Sequence, residues 1–331
     1  MKVQYYFRHP AIAHSIHRVF RTLIRELAPI ITVNEIEMPC KGSMPWDVLR
    51  NNVYTFKHRD KNSIHHITGH IHDILLALVG SKTVLTIHDL VFIDNVRNPI
   101  KRFYKWLFWL YLPVKLATRV VCISELTKQK VDKLIKNNKT LVIHNALDPI
   151  YGYIPKTFNS SKPVILHIGT GWNKNLERTI EALNGIPCEL RIIGKLNAEQ
   201  LALLNQHQIA YSNAVNLTDQ EIVTEYVNCD IVNFPSIYEG FGMPIIEGQA
   251  TGRVVLTSEI EPLIEVSGGA VCFANNNDIQ SIRMAYLKII QDSAFREKLI
   301  VDGLENVKRF DKKLIASKYL ELYSTFLGKV L

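Results

Sequence analysis

Short runs rich in β-branched residues alternate with helical patterns along the whole chain. That alternation confines it to α/β folds whose parallel sheets are covered on both faces. In the first half, strands are expected at Val3–Phe7, Ile64–Ile67, Val84–Ile87, Val120–Ile123 and Leu141–Ile143, with helices between them such as Ile16–Leu27. In the second half, strands are expected at Val164–Ile168, Glu189–Ile193, Ile231–Phe234 and Val254–Thr257. Helices are expected there at Leu176–Leu183, Asp219–Asn228, Pro244–Thr251 and Ile279–Gln291. The stretch from Asn145 to Pro163 interrupts the pattern with Pro149, Gly152, Pro155, Asn159, Ser160, Ser161 and Pro163, which is linker chemistry. A chain of 331 residues suits two domains of about 150 residues each. Two such halves are expected to face each other across a cleft. Right-handed crossovers put the carboxyl ends of the strands on one edge of each sheet, where ligands bind.

Charge divides at nearly the same place. Residues 1–147 hold 22 Lys and Arg against 10 Asp and Glu, whereas residues 148–331 hold 17 against 21. The excess in the first half points to an anionic partner, or marks a merely well-solvated half. No nucleic-acid-binding motif is present, so a membrane surface or a phosphate-bearing acceptor is the expected partner, and nucleic acid is not. The basic and aromatic run Lys101–Leu112 can lie at a lipid interface or be a buried helix of the first domain. The most apolar window, Trp106–Val114, is far shorter than the roughly 20 residues of a spanning helix. No signal-peptide core fits the start, because Arg8, His9 and Pro10 follow the first strand at once. Cys40, Cys122, Cys188, Cys229 and Cys272 are scattered and never at metal spacing, as in a reducing cytoplasm.

Chemistry is then sought just after the strands. The loop following Ile231–Phe234 runs from Pro235 to Glu247 and holds two glutamates, Glu239 and Glu247, around a Gly240-Phe241-Gly242 turn. Pro244 suits the first position of a helix and Gly252 its end. Glu239 then lies in the loop and Glu247 about one turn into the helix, while the N–H groups ahead of Pro244 can meet a phosphate. The bland alternative has Glu247 complementing the helix dipole and the glycines making a turn. The loop Gly169-Thr170-Gly171-Trp172-Asn173-Lys174-Asn175 resembles a phosphate cradle with one lysine and Asn175 as helix cap; it lacks the Gly-Lys-Ser/Thr ending of a P-loop. His88-Asp89 ends a strand, where a histidine is either a core residue or, at this edge, a substrate contact. Ser124-Glu125 reads as a helix cap. No Asp-x-Asp pair offers a divalent-metal site. His65, His66, His70 and His72 lack zinc spacing and are expected as acceptor contacts or plain surface, so no metal is expected.

The wording Glu239-Gly-Phe-Gly-Met-Pro244 through Glu247 resembles the E-x7-E motif of retaining glycosyltransferases of family 4, which have the GT-B fold. The resemblance extends to Thr86–Asp89, Cys122–Ser124, His144–Asp148, Gly169–Asn175, Ile193-Gly194 and Tyr226–Pro235. It covers most of the chain and is strongest over residues 164–270. It implies an α/β GT-B architecture of two Rossmann-like parallel-sheet domains facing a cleft. Residues 1–147 would bind the acceptor, residues 148–310 would bind the nucleotide sugar, and a helix in 311–331 would cross back to the first domain. It further implies that Glu247 binds the donor ribose and that Glu239 and His88 work at the donor sugar as the catalytic pair. Gly169, Thr170 and Lys174 would hold the phosphates, and Gly240, Phe241, Gly242 and Met243 would contact the sugar and diphosphate. Leu217 would lie near the base. His14, Ser15 and His70 would stand on the acceptor side. No cofactor is implied beyond the nucleotide diphosphate sugar itself.

Two departures stand out. Asn173 precedes Lys174 where many relatives carry an arginine, with Arg178 as a candidate substitute, and the turn Arg8–Ser15 replaces a Gly-Gly turn. The expected activity is retaining transfer of a hexose-type sugar to a saccharide or lipid-linked acceptor. It would serve cell-envelope polysaccharide or lipopolysaccharide synthesis, in the cytoplasm or peripherally on the inner face of the membrane. The alternatives are a nucleotide-sugar epimerase of the same architecture and a catalytically idle binding scaffold.

Overall fold

The computed structural model describes residues 1–12 and 14–328, without the side chains of Ile12 and His14. The chain forms two compact units, one of Met1–Asp148 joined by the stretch from Phe310 on, the other of Pro149–Arg309.

In the first unit the strands are β1 (Lys2–Phe7), β2 (Thr32–Glu37), β3 (Ile64–Ile67), β4 (Thr83–Ile87), β5 (Arg119–Cys122) and β6 (Thr140–Val142). All pairings are parallel, in the order β2-β1-β3-β4-β5-β6. The second unit holds β7 (Val164–Ile168), β8 (Glu189–Ile193), β9 (Tyr211–Ala214), β10 (Ile231–Phe234), β11 (Val254–Ser258) and β12 (Cys272–Ala274). Its order is β12-β11-β10-β7-β8-β9, again parallel throughout. Both are doubly wound sheets whose strand order reverses once, beside β1 in the first and between β7 and β10 in the second. Crevices form at such reversals, because the flanking loops leave in opposite directions.

Strands covered on both faces read as continuous apolar runs, and those in the sheet interiors match expectation to within a residue at each end. Three strands were not anticipated: β2, β9 and β12. Each is an edge strand. β2 (TVNEIE) and β9 (YSNA) are half exposed and polar, as unpaired edges tend to be, and β12 has three residues.

The helix His14–Leu27 and the helix Lys312–Ser324 pack together on one face of the first sheet, where Phe20, Leu23, Ile315, Tyr319 and Tyr323 close over Val3, Tyr5 and Phe7. The opposite face is covered by the helix Pro45–His58, the 3-10 turns His72–Leu78 and the segment from Trp106 to Leu116.

Two expectations are corrected here. His65, His66 and His72 are core residues, not surface or acceptor contacts. The Tyr323 hydroxyl, 2.9 Å from that of Tyr5, lies 2.6 Å from His66 Nδ1, and His66 Nε2 lies 2.7 Å from Thr86 Oγ1. His65 Nδ1 meets the Tyr6 hydroxyl at 2.9 Å, and His72 Nδ1 meets the Trp109 carbonyl at 2.7 Å. Burial favours the neutral ring, pulling His65 down to about 4 and His66 and His72 to about 3.

The run Lys101–Leu112 is also more complex than one interfacial helix. Pro99–Lys105 is α-helical, but Trp106–Tyr111 widens into a π-helical turn ahead of Pro113, which lacks an N–H and crowds the preceding turn. Leu110 is buried, and Trp106 and Tyr111 pack against the core. Trp106 and Tyr111 thus face inward, while Ile100, Phe103 and Tyr104 in the preceding helix are exposed. No helix among the described residues is long and apolar enough to cross a membrane.

Candidate functional site

In the second unit the loops after β7 and β10 flank the strand reversal, and a charged pair joins them. Gly169 directly follows β7 with φ +90°, and a Cβ there would meet the Lys174 side chain at 3.1 Å. Glycine is needed both for that backbone and to let the lysine stem fold back over it. The chain then makes the 3-10 turn Trp172–Lys174 and enters the helix Leu176–Leu183. Lys174 Nζ donates to Glu239 Oε1 at 2.6 Å, lying 4.7 Å from the centre of the Phe234 ring. Asn173 Nδ2 donates to the same carboxylate oxygen at 3.2 Å and to the Tyr238 carbonyl at 3.1 Å, while Ile237 N–H donates to the Asn173 carbonyl at 2.8 Å.

Asn175 stands at the helix start, as expected, but it does not cap it. It sits in the left-handed region (φ +63°), and its side chain makes no capping bond. Its amide instead donates to the Pro235 carbonyl at 3.0 Å and the Asn276 carbonyl at 2.8 Å, and its oxygen accepts from Arg178 at 2.9 Å. One side chain thus ties three loops at the carboxyl edge of the sheet. Arg178, the candidate substitute for the missing arginine, directs a guanidinium N–H to this asparagine. Asn175→Ala is expected to destabilise the protein by about 2–4 kcal/mol, since two buried carbonyls lose their donor and alanine tolerates positive φ poorly. Denaturant unfolding measures this; a change within about 0.5 kcal/mol would show that the tie is dispensable.

The helix after β10 begins at Met243, with Pro244 in its first turn and Gly242 at its N-cap with φ +111°. A Cβ on Gly242 would meet Leu263 at 2.7 Å. The start is therefore one residue earlier than Pro244, while Gly252 has φ +73° just past the end. Glu247 is 3% exposed and accepts a 2.6 Å bond from the Tyr226 hydroxyl. Phe241 is buried. Thr170 Oγ1 donates to the Lys195 carbonyl at 2.7 Å, which pins the first loop to the end of β8. Leu217 is half-buried in the loop between β9 and the helix Asp219–Asn228.

Sequence reasoning did not single out Asn173 as a partner of Glu239, nor Tyr226 as a partner of Glu247. A signal for the tyrosine was present. Val223 and Tyr226 are three apart and both buried on the inner face of their helix, and a phenol placed there needs a polar partner.

His88 belongs to the first unit. It follows β4, is 7% exposed, and its Nε2 lies 2.7 Å from the Thr68 carbonyl. A carbonyl only accepts, so Nε2 carries the proton and Nδ1 the lone pair. Burial lowers the pKa of His88, and burial likewise brings His70 down to about 3. His70 Nε2 lies 3.6 Å from Asp89 Oδ2, and the His70 and His88 ring centres are 6.2 Å apart. Asp89 Oδ1 accepts from Val91 N–H at 2.9 Å. The structure thus groups His70, His88 and Asp89 at the carboxyl edge of the first sheet. Ser15 is exposed in the first turn of its helix; the side chain of His14 lies outside the described residues. No cluster of three His, Cys, Asp or Glu able to hold a metal occurs among the described residues.

Comparison with known proteins adds to this geometry. A family model described as "Glycosyl transferases group 1" matches residues 154–305, and one described as "Glycosyltransferase Family 4" matches residues 16–150. The O-antigen chain mannosyltransferase B of Escherichia coli is 24% identical over 268 residues, covering 73% of this chain and 70% of that one. The serotype-specific mannosyltransferase WbdA of Escherichia coli is 32% identical over 152 residues, which are 41% of this chain and only 18% of the relative's length. Among solved structures, a sucrose-phosphate synthase from Thermosynechococcus elongatus superposes over 99% of both chains with a TM-score of 0.81 at 16% identity.

Proposed function

We propose that this chain, built as a glycosyltransferase of the GT-B fold, moves a hexose-type sugar from a nucleotide diphosphate sugar to a saccharide or lipid-linked acceptor, with retention of configuration and without a metal. The observation that carries the proposal is the Lys174–Glu239 pair on the two loops at the strand reversal, with Glu247 one turn into the adjoining helix. The names of the relatives favour polysaccharide or lipopolysaccharide synthesis at the cell envelope. We place the enzyme in the cytoplasm, peripheral on the inner face of an anionic membrane. The free cysteines, most of them buried, and the basic first unit support that placement.

The chemistry follows from where charge develops. Cleaving the bond between sugar and phosphate leaves oxocarbenium character on the sugar and negative charge on the departing diphosphate. Lys174 supplies the cation, with loop N–H groups around Gly169 and Gly242 as further donors. Glu239 then stands at the sugar, where a carboxylate favours developing positive charge. Glu247 takes the ribose, oriented by Tyr226. His88, in the first unit, keeps a neutral ring as the proposed partner for a hydroxyl.

Product analysis with a labelled donor tests the proposal. Transfer to acceptor that persists in EDTA is expected. Conversion of donor to an epimer without acceptor would identify an isomerase, and tight binding with no product would identify an idle scaffold. Activity abolished by chelation and restored by magnesium or manganese would overturn the metal-free mechanism.

A further inference from the structure

The helix Pro45–His58 carries Trp46, Leu49, Val53 and Phe56 at intervals of three and four, so all four share one face. That face is turned to solvent: Trp46 is 73% and Phe56 58% exposed, with Leu49 and Val53 near half. The same helix packs its other side, through Asn51, Thr55 and Tyr54, onto the core. In the same unit the helix Pro99–Lys105 exposes Ile100, at 78%, and Phe103, at 60%. Scattered exposed apolar residues are ordinary, but a continuous apolar stripe is not.

The surrounding charge selects the partner. Segments 41–61 and 96–106 contain nine Lys and Arg against two Asp, and Arg50, Lys57, Lys101 and Arg102 are exposed beside the apolar residues. Two copies of so basic a face repel one another, which disfavours a homodimer. A surface that is apolar inside and anionic at its rim complements it, and that describes an acidic lipid bilayer. We infer that Trp46, Leu49, Val53 and Phe56, with Ile100 and Phe103, enter the interface of an anionic membrane while the flanking cations hold the headgroups. This deepens the proposed peripheral placement and rests on it, but moves the contact from the turn Trp106–Tyr111, whose Trp106 and Tyr111 pack on the core, to an earlier helix.

Co-sedimentation with vesicles tests it, using phosphatidylcholine alone or with about a third phosphatidylglycerol. The whole protein is expected to bind only the anionic vesicles and to release in high salt. The double substitution Trp46→Gln with Phe56→Gln, at exposed sites that leave the fold intact, is expected to weaken partitioning at least about tenfold. Lys101→Glu with Arg102→Glu is expected to do the same at low salt. Transfer to a water-soluble acceptor should stay unchanged in both. Vesicle binding that is absent, or indifferent to these substitutions, overturns the inference. So does a dimer in solution that Trp46→Gln and Phe56→Gln dissociate, since a second copy would then cover the stripe. Vesicle binding without any transfer by the unmodified protein would instead refute the enzyme reading and leave the docking face standing.

Discussion

Between pH 7.5 and pH 5.5 the melting midpoint is expected to fall by about 10 °C, with the first unit giving way before the second. His65, His66, His72 and His167 are each at most 1% exposed. Burial depresses His65 to about 4 and the other three to about 3. In the unfolded chain these rings titrate near 6.5. As pH drops below 6.5 the unfolded state gains protons that the native state refuses, so stability is lost from there down toward pH 3. One unit below the unfolded value each ring costs about 1.4 kcal/mol, or about 6 kcal/mol for four. Asp73 opposes this: burial raises it to about 6, so its native form is relieved of a buried charge as pH falls from 6 toward 4. That returns about 1 kcal/mol at pH 5.5. The remaining loss is comparable with the whole stability of many domains, about 5–15 kcal/mol. Three of the four rings lie in the first unit, so calorimetry should resolve that unit moving first. A midpoint unchanged to pH 5.5, or the second unit leading, would contradict the assignment of these rings as neutral core.

Lys174→Ala is expected to lower kcat/KM by about 10²–10³. The substitution removes the cation at the departing diphosphate and also strands Glu239, whose carboxylate then repels the donor phosphates. Glu239→Gln should behave differently, because the free enzyme pairs the two side chains at 2.6 Å. Amidation releases the lysine from its partner, so donor KM should hold or fall, while kcat drops about 10–100-fold through loss of a carboxylate at the developing cation. Glu247→Gln should raise donor KM about tenfold with kcat little changed, since a ribose contact is similar in ground and transition states. Steady-state kinetics with circular dichroism as a folding control separates the three. An elevated KM with normal kcat for Glu239→Gln would place that residue on binding alone and break the proposed division of labour.

The interior strands and the two site loops were legible because each rests on local chemistry. A strand covered on both faces is rich in apolar and β-branched residues, as Ile231–Phe234 is apart from Asn233, and a glycine-rich turn entering a helix shows itself by its Gly, Pro and Asn residues. The strands β2, β9 and β12 escaped because an edge strand needs neither full burial nor alternation.

What the sequence determined by itself was therefore the α/β alternation, the residues that punctuate it and the charge imbalance between its halves, each a property of neighbours along the chain. Only the tertiary structure decided which of those residues meet. Lys174 and Glu239 are 65 positions apart, and Tyr226 and Glu247 are 21 apart. Asn175 reads locally as a cap, yet it spends its amide on carbonyls 60 and 101 positions away. The histidines of β3 look like polar surface until Tyr6 arrives from a distant element to meet His65 Nδ1, and Thr86 and Tyr323 to bond both nitrogens of His66. Pairings of that kind follow from strand order, which places β7 beside β10, and no local pattern encodes strand order.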